Sequence, residues 1–106
     1  MSDRPQGLAD LDRLEIVFAA LAHPTRRQIL TVLRARGGTM TSGELAERFD
    51  CTWPTTTRHL GILADAGLVT VTRHGRQRHY HLHTTPLTDT AGNWINRFRT
   101  DPTADD

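Results

Sequence analysis

The chain has 106 residues, of which 37% are hydrophobic and 24% charged, as is typical of a water-soluble globular protein. At this length we expect one domain, residues 1–99, followed by a disordered acidic tail, residues 100–106. No apolar run approaches the ~20 residues of a transmembrane helix, and no secretory signal is visible, so we expect a cytoplasmic protein without a membrane partner. The single cysteine excludes an internal disulfide and a cysteine cage for zinc.

The net charge of +1 conceals an uneven distribution of charge along the chain. All thirteen basic residues are arginines, and residues 1–51 balance seven of them with seven acids. Residues 52–83 hold four arginines and five histidines against one acid, Asp65, which gives this stretch a net charge of +3 (4 − 1). Arginine with few acids nearby favours an anionic partner such as phosphate, although a charged surface that serves only solubility explains the same count.

Two helices are predicted in the first third of the chain. On the first helix an apolar residue recurs every three or four positions: Leu8, Leu11, Leu14, Phe18 and Leu21. His23-Pro24 ends that helix, because the residue before a proline is disfavoured in the helical conformation. Pro24 begins a second helix, which extends to about Arg36 and ends at Gly37-Gly38.

Two short helices joined by a tight turn follow. Thr41 and Glu44 have the spacing of a capping box, which begins the first of them. After a turn at residues 50–51, Thr52 caps the second, and Gly67 ends it. Two short helices connected this closely must cross steeply, which is the helix-turn-helix pattern.

The apolar pattern then changes from a helical period to alternation. Residues 68–72 predict a strand, residues 74–77 a turn, and residues 79–83 a returning strand. Pro86 begins a last helix with an apolar residue every three or four positions: Leu87, Ala91, Trp94 and Phe98. The order helix-helix-helix-helix-strand-strand-helix, mainly α with a small β-hairpin, predicts a winged helix-turn-helix fold.

The first and last helices carry more apolar surface than a core of this size can cover. Pairing two copies of the chain hides such stripes, so we expect a homodimer, although the helices could instead pack only on their own domain. The predicted interface residues are Leu8, Leu11, Leu14, Phe18, Leu87, Ala91, Trp94 and Phe98.

The helix that follows Thr52 has two distinct faces. One face groups Thr56, Leu60 and Leu63, which would pack on the core, and Arg58 lies on the other. In a helix-turn-helix such a helix lies in the major groove of DNA, where an arginine can bond O6 and N7 of one guanine. The predicted DNA contacts of this helix are Thr52, Trp53, Pro54, Thr55, Thr57 and Arg58.

The hairpin adds three arginines, Arg73, Arg76 and Arg78, beside this helix. An arginine at such a tip can enter the narrow minor groove of A·T tracts, so double-stranded DNA is the predicted partner. A module that binds another protein is the alternative, and it would tolerate joint replacement of Arg76 and Arg78. No nucleophile–base pair, phosphate loop or pair of carboxylates is spaced for catalysis, so we predict that the chain is not an enzyme.

Several segments resemble the ArsR/SmtB family of small bacterial winged-helix repressors, over about residues 8–98. They are residues 20–30 (ALAHPTRRQIL), 43–49 (GELAERF), 54–60 (PTTTRHL), 63–69 (LADAGLV), and Gly75-Arg76 with Tyr80. The resemblance implies a homodimeric transcriptional repressor, built from the first and last helices, that binds an imperfect palindrome near its own promoter. It also implies release from DNA when an effector binds.

The metal ligands of that family are missing from this sequence. Thr41 and Gly43 stand where its metal sensors have a Cys-x-Cys pair, and the last helix offers Asp89 but no histidine. We therefore predict no metal and no other cofactor. A metal- or redox-responsive repressor with a different site stays open, and its candidate residues are His79, His81, His83 and Cys51.

Overall fold

The structure, a computed structural model, describes residues 6–49 and 51–99. Its elements in chain order are α1 (Gln6–Leu21), α2 (Pro24–Ala35), β1 (Thr39–Thr41), α3 (Ser42–Arg48), α4 (Trp53–Asp65), β2 (Val69–His74), β3 (Gln77–Leu82), a π-helical segment (Pro86–Gly92) and α5 (Asn93–Asn96). The last two are continuous. The predicted winged helix-turn-helix architecture is confirmed, while the acidic tail and one residue of the predicted turn, Asp50, lie outside the described residues.

The predicted breaks between helices are present at the expected residues. His23 caps α2 with its side chain, whose Nδ1 accepts a hydrogen bond of 3.1 Å from the backbone N–H of Thr25. Gly37 and Gly38 follow α2 with φ angles of 91° and 96°, a left-handed conformation that side chains with a Cβ avoid. These residues turn the chain from α2 into the sheet.

The predicted capping box at the start of α3 is confirmed. The hydroxyl of Thr41 accepts a hydrogen bond from the backbone N–H of Glu44 (3.1 Å), and the Glu44 carboxylate accepts one from the N–H of Thr41 (2.9 Å). The backbone N–H of Thr41, and to a smaller extent its side-chain hydroxyl, stabilise the charged carboxylate of Glu44 and hold its pKa below the ordinary value. The start of the helix-turn-helix is therefore fixed by hydrogen bonds between residues that are close in sequence.

A three-stranded antiparallel sheet, in the order β1-β3-β2, forms the wing. The hairpin pairs Val69 with Leu82 at its base and His74 with Gln77 at its tip, and a two-residue turn, Gly75-Arg76, connects the strands. Gly75 has a φ of 64°, as a tight hairpin turn with glycine in first position requires.

Two features differ from the sequence-based expectation. A third strand, β1, pairs Met40 with Tyr80, and it was missed because three residues carry too little pattern to predict a strand that forms only by pairing with a distant segment. The last helix begins as a π-helix over Pro86–Gly92, and the spacing of its apolar residues does not distinguish this from an α-helix.

One buried apolar cluster connects all elements except α5. It consists of Leu14, Val17, Ala20, Ile29, Leu30, Leu33, Met40, Leu45, Leu60, Leu63, Leu68, Val69, Tyr80 and Ala91. Trp94, from α5, is partly buried and packs against this cluster. None of the helices in the described part of the chain has both the length and the apolar character to cross a membrane.

The end of α4 gives a test of this fold. Gly67 has a φ of 77°, and a Cβ there would meet only Pro86 Cγ at 3.7 Å, so conformation rather than space makes glycine necessary. We expect Gly67→Ala to lower the free energy of unfolding by about 1–2 kcal/mol in urea titrations. Gly61→Ala, in the α4 interior with nothing within 4 Å of the added methyl, is expected to raise it by about 0.5–1 kcal/mol. Shifts of the same sign would contradict this conformational argument.

Candidate nucleic-acid interface

The two predicted faces of α4 are present in the structure. Thr56, Leu60 and Leu63 are each at most 2% exposed and hold the helix against the core. The opposite face is open to solvent, and all the DNA contacts predicted for this helix are exposed there or at the helix start: Thr52, Trp53, Pro54, Thr55, Thr57 and Arg58. The structure therefore brings these six residues together on one continuous surface.

Hydrogen bonds organise the start of α4. The Thr52 hydroxyl accepts a hydrogen bond from the backbone N–H of Thr55 (3.3 Å) and donates one to the Thr55 hydroxyl (3.0 Å). Trp53 is 54% exposed, so most of its ring is available to a partner. A capped helix start with exposed polar groups is suited to a phosphate oxygen, because free N–H groups and the helix dipole both favour an anion.

The three wing arginines surround the hairpin tip. Arg73 on β2 lies directly opposite Arg78 on β3, and Arg76 is in the turn between them. Among the described residues, neither Arg73 nor Arg78 has a carboxylate partner. Like charges directly opposite each other destabilise a hairpin, so an anion bound between these side chains would relieve the repulsion.

The strand histidines do not converge on a common point. His81 lies between two hydroxyls, with Nδ1 3.0 Å from Thr39 Oγ1 and Nε2 2.9 Å from Thr72 Oγ1. The ring of His79 contacts His74 (centroids 4.7 Å apart), while His83 Nδ1 lies 3.0 Å from the carbonyl oxygen of Gly67. Within residues 6–49 and 51–99 no three histidine, cysteine or acidic side chains are grouped to hold a metal ion. Cys51 is a free, half-buried thiol.

The predicted dimer residues divide into a buried set and a set that is exposed or only partly buried. Leu14 and Ala91 belong to the core of the chain itself. The others form what we call the terminal apolar surface, which comprises the exposed Leu8, Leu11 and Phe98 and the partly buried Phe18, Leu87 and Trp94. Aromatic contacts hold it together, with ring centroids 5.6 Å apart for Phe18 and Trp94 and 4.9 Å apart for Trp94 and Phe98. Phe98 is 69% exposed, which leaves a large apolar side chain in water.

One polar contact to α4 escaped the sequence analysis. Arg26, in the first turn of α2, places Nη1 3.2 Å from Nδ1 of His59, which is 7% exposed on α4. Burial is the main reason that the pKa of His59 is below its ordinary value, and the nearby positive charges of His23, Arg26 and Arg58 lower it further. An arginine with a histidine 33 residues away has no recognisable sequence spacing, so no pattern could have revealed the pair.

Comparison with known proteins gives consistent matches along the chain. A family model for a helix-turn-helix domain matches residues 21–72. The transcriptional repressor SdpR of Bacillus subtilis (strain 168) is 43% identical over 82 residues, which cover 77% of this chain and 88% of that protein. A crystal structure of an ArsR family transcriptional regulator has a TM-score of 0.73 and 35% identity, covering 80% of this chain and 90% of that one.

A third match bears on the fold. A homodimeric winged helix-turn-helix DNA-binding domain from Mycobacterium bovis, a possible ArsR-family regulator, has a TM-score of 0.71 and 23% identity. It covers 93% of this chain and 94% of that one, so nearly the whole architecture is shared.

The opposed arginines of the wing lead to a stability test. Replacing Arg73 with threonine removes the repulsion from Arg78, so we expect the free energy of unfolding at low salt to rise by about 0.2–1 kcal/mol. The gain should shrink at 1 M salt, where the Debye length is about 3 Å. Arg76→Thr is the control, since it removes the same charge from the turn, where no arginine lies opposite. Equal effects of both substitutions, or no salt dependence, would contradict the repulsion.

Proposed function

This chain belongs to the ArsR family of winged helix-turn-helix regulators, and on that premise we propose that it represses transcription as a homodimer bound to a palindromic operator. The observation that carries the proposal is α4, which presents one exposed surface of polar, aromatic and cationic residues while its other face is buried. The names of the chain's relatives support the same conclusion, because one of them, SdpR, is a transcriptional repressor.

In this proposal the N-terminal half of α4 reads the DNA sequence. Each subunit inserts residues 52–58 into a major groove, where the Arg58 guanidinium bonds O6 and N7 of a guanine and Thr57 contacts a thymine methyl or a phosphate. Thr52 and the free N–H groups at the helix start bind a backbone phosphate, which sets the register of the helix without specifying a base.

The wing supplies the second contact. Arg76, at the exposed hairpin tip, enters the flanking minor groove, whose negative potential is greatest in narrow A·T tracts. Arg73 and Arg78 bind the adjacent phosphates, and the repulsion between them falls as they do so. The absence of a carboxylate partner for these two side chains, within the described residues, supports this role.

The homodimer brings two α4 helices onto one face of the duplex. The terminal apolar surface pairs with its copy; the homodimeric state of the M. bovis structural neighbour supports a dimer. The two half-sites then lie about 10 base pairs apart, centre to centre, or a multiple of that distance. An effector that changes the dimer geometry would misalign the helices and release the DNA.

Sequence reading by α4 is tested with Arg58→Ala. We expect operator affinity to fall by about 1–3 kcal/mol and discrimination to be lost at one base position per half-site, because a bidentate contact to guanine is removed. Fluorescence anisotropy with the upstream DNA of the gene and single-base variants measures both effects. Arg34→Ala removes the same charge from the exposed last turn of α2 and should leave base discrimination unchanged. If Arg58→Ala discriminates between the variants as the wild type does, this groove contact is wrong.

The dimer surface is tested with Leu11→Asp. Leu11 is 44% exposed on the terminal apolar surface, and an unpaired carboxylate buried there is costly, so the dimer dissociation constant should rise more than about tenfold. Ile16 is 52% exposed but lies about 140° further round α1, so Ile16→Asp should leave the dimer intact. Sedimentation velocity over a concentration series gives the dimer dissociation constants of both variants. A dimer weakened only by Ile16→Asp would place the interface on another face of α1.

A further inference from the structure

One guanidinium connects the end of α1 to the middle of α4. Arg26 Nε donates to the carbonyl oxygen of Ala20 (2.7 Å), and Nη2 donates to that of Ala19 (3.2 Å). The remaining nitrogen, Nη1, lies 3.2 Å from Nδ1 of His59 on α4. The side chain therefore contacts both the helix that carries part of the terminal apolar surface and the helix that faces DNA.

The contact with His59 depends on the protonation of its ring. A guanidinium only donates, so Nδ1 of His59 must accept, and the ring must be neutral at that nitrogen. The ring is buried and lies against His23, with centroids 4.4 Å apart. A proton added to His59 would face Arg26, Arg58 and His23, the groups whose charges already act on it. A neutral ring is thus both what the hydrogen bond requires and what the surroundings favour.

We propose that Arg26 is a positioning residue, which clamps His59 to the end of α1 and so sets the angle of α4 for sequence-specific DNA binding. The proposal rests on the DNA-binding function proposed above and adds to it the residue that links the dimer helix to the reading helix. The carbonyls of Ala19 and Ala20 fix one side of the guanidinium, and its planar fork fixes the direction of the third bond. Without the clamp, α4 retains its apolar packing but loses its polar connection to α1.

Arg27 provides a matched control for this role. Its Nη1 donates to the carbonyl oxygens of Leu21 and Ala22 (2.6 and 3.1 Å), at the same end of α1. It carries the same charge and also satisfies helix-end carbonyls, but no hydrogen bond connects it to α4. A residue that only caps α1 would resemble Arg27 in every measurement, and a positioning residue would not.

The first experiment compares Arg26→Met and Arg27→Met on two DNA duplexes, the operator and a scrambled sequence of the same length and composition. We expect Arg26→Met to lose about tenfold or more in operator affinity, within the range typical of coupling between distant sites. Affinity for the scrambled duplex should be equal in the two variants, because both lose one positive charge. Thermal unfolding checks that both fold, and Arg26→Lys, which keeps the charge but not the fork, should bind the operator nearly as weakly as Arg26→Met.

A second experiment uses the proton on His59. As the pH falls from the ordinary histidine value of 6.5 through the lowered pKa of His59, the clamp should open and the preference for operator over scrambled DNA should decrease. His59→Gln keeps an acceptor without a titrating group, so it should retain that preference across this range. The wing histidines are identical in the wild type and in His59→Gln, so any effect they have on DNA binding cancels in the comparison.

A third measurement needs no DNA. NMR titration of the His59 ring should show its pKa rising toward the ordinary value in Arg26→Met, since a nearby positive charge is removed, and unchanged in Arg27→Met. Equal loss of operator affinity in the two methionine variants, or an Arg26→Met protein that binds the operator normally, overturns the clamp while leaving DNA binding intact. A wild-type protein that does not distinguish the two duplexes instead overturns the proposed function, and the clamp proposal with it.

Discussion

The exposed surface of α4 depends on how the opposite face of the same helix is buried. Leu60 and Leu63 are almost completely removed from water, and burying a leucine contributes about 1.5–3 kcal/mol. The same face includes Thr56, whose buried hydroxyl has no hydrogen-bond partner among the described residues. An unsatisfied buried hydroxyl costs about 1–3 kcal/mol, so the leucines must outweigh it. The net stabilisation keeps this face of α4 buried and so keeps the opposite face in solvent.

Two groups of arginines in the described part of the chain differ in their contacts, which helps to explain why a net charge of +1 is compatible with binding a polyanion. Arg26 and Arg27 donate to the last carbonyls of α1, where the negative end of a helix dipole attracts a cation. Arg58, Arg73 and Arg76 are exposed and have no such acceptor in the described part of the chain. Counting arginines from the sequence treats both classes alike, whereas the hydrogen bonds separate those that hold the fold from those that are free to meet phosphate.

The sequence was sufficient to predict features that depend on local rules. Helix caps at Thr41 and Thr52, the glycine after α4 and the hairpin turn all follow from the preferences of single residues at single positions. The outer face of α4 followed from the period of 3.6 residues alone. Features that join distant segments were missed, because they have no repeating pattern: β1 forms only against β3, and Arg26 bonds to main-chain carbonyls that any residue could supply.

The short strand β1 has a consequence for the entropy of binding. Thr41 ends β1 and also caps α3, so the three-stranded sheet of the wing is continuous with the start of the helix-turn-helix. A hairpin of β2 and β3 without β1 would move more freely relative to the helices. Ordering each residue of a flexible backbone costs about 1–2 kcal/mol at 25 °C. The pairing of β1 with β3 restricts this motion of the hairpin when the chain folds. In the proposed complex with DNA, the wing is therefore already ordered before binding, and little conformational freedom is left to lose when the complex forms.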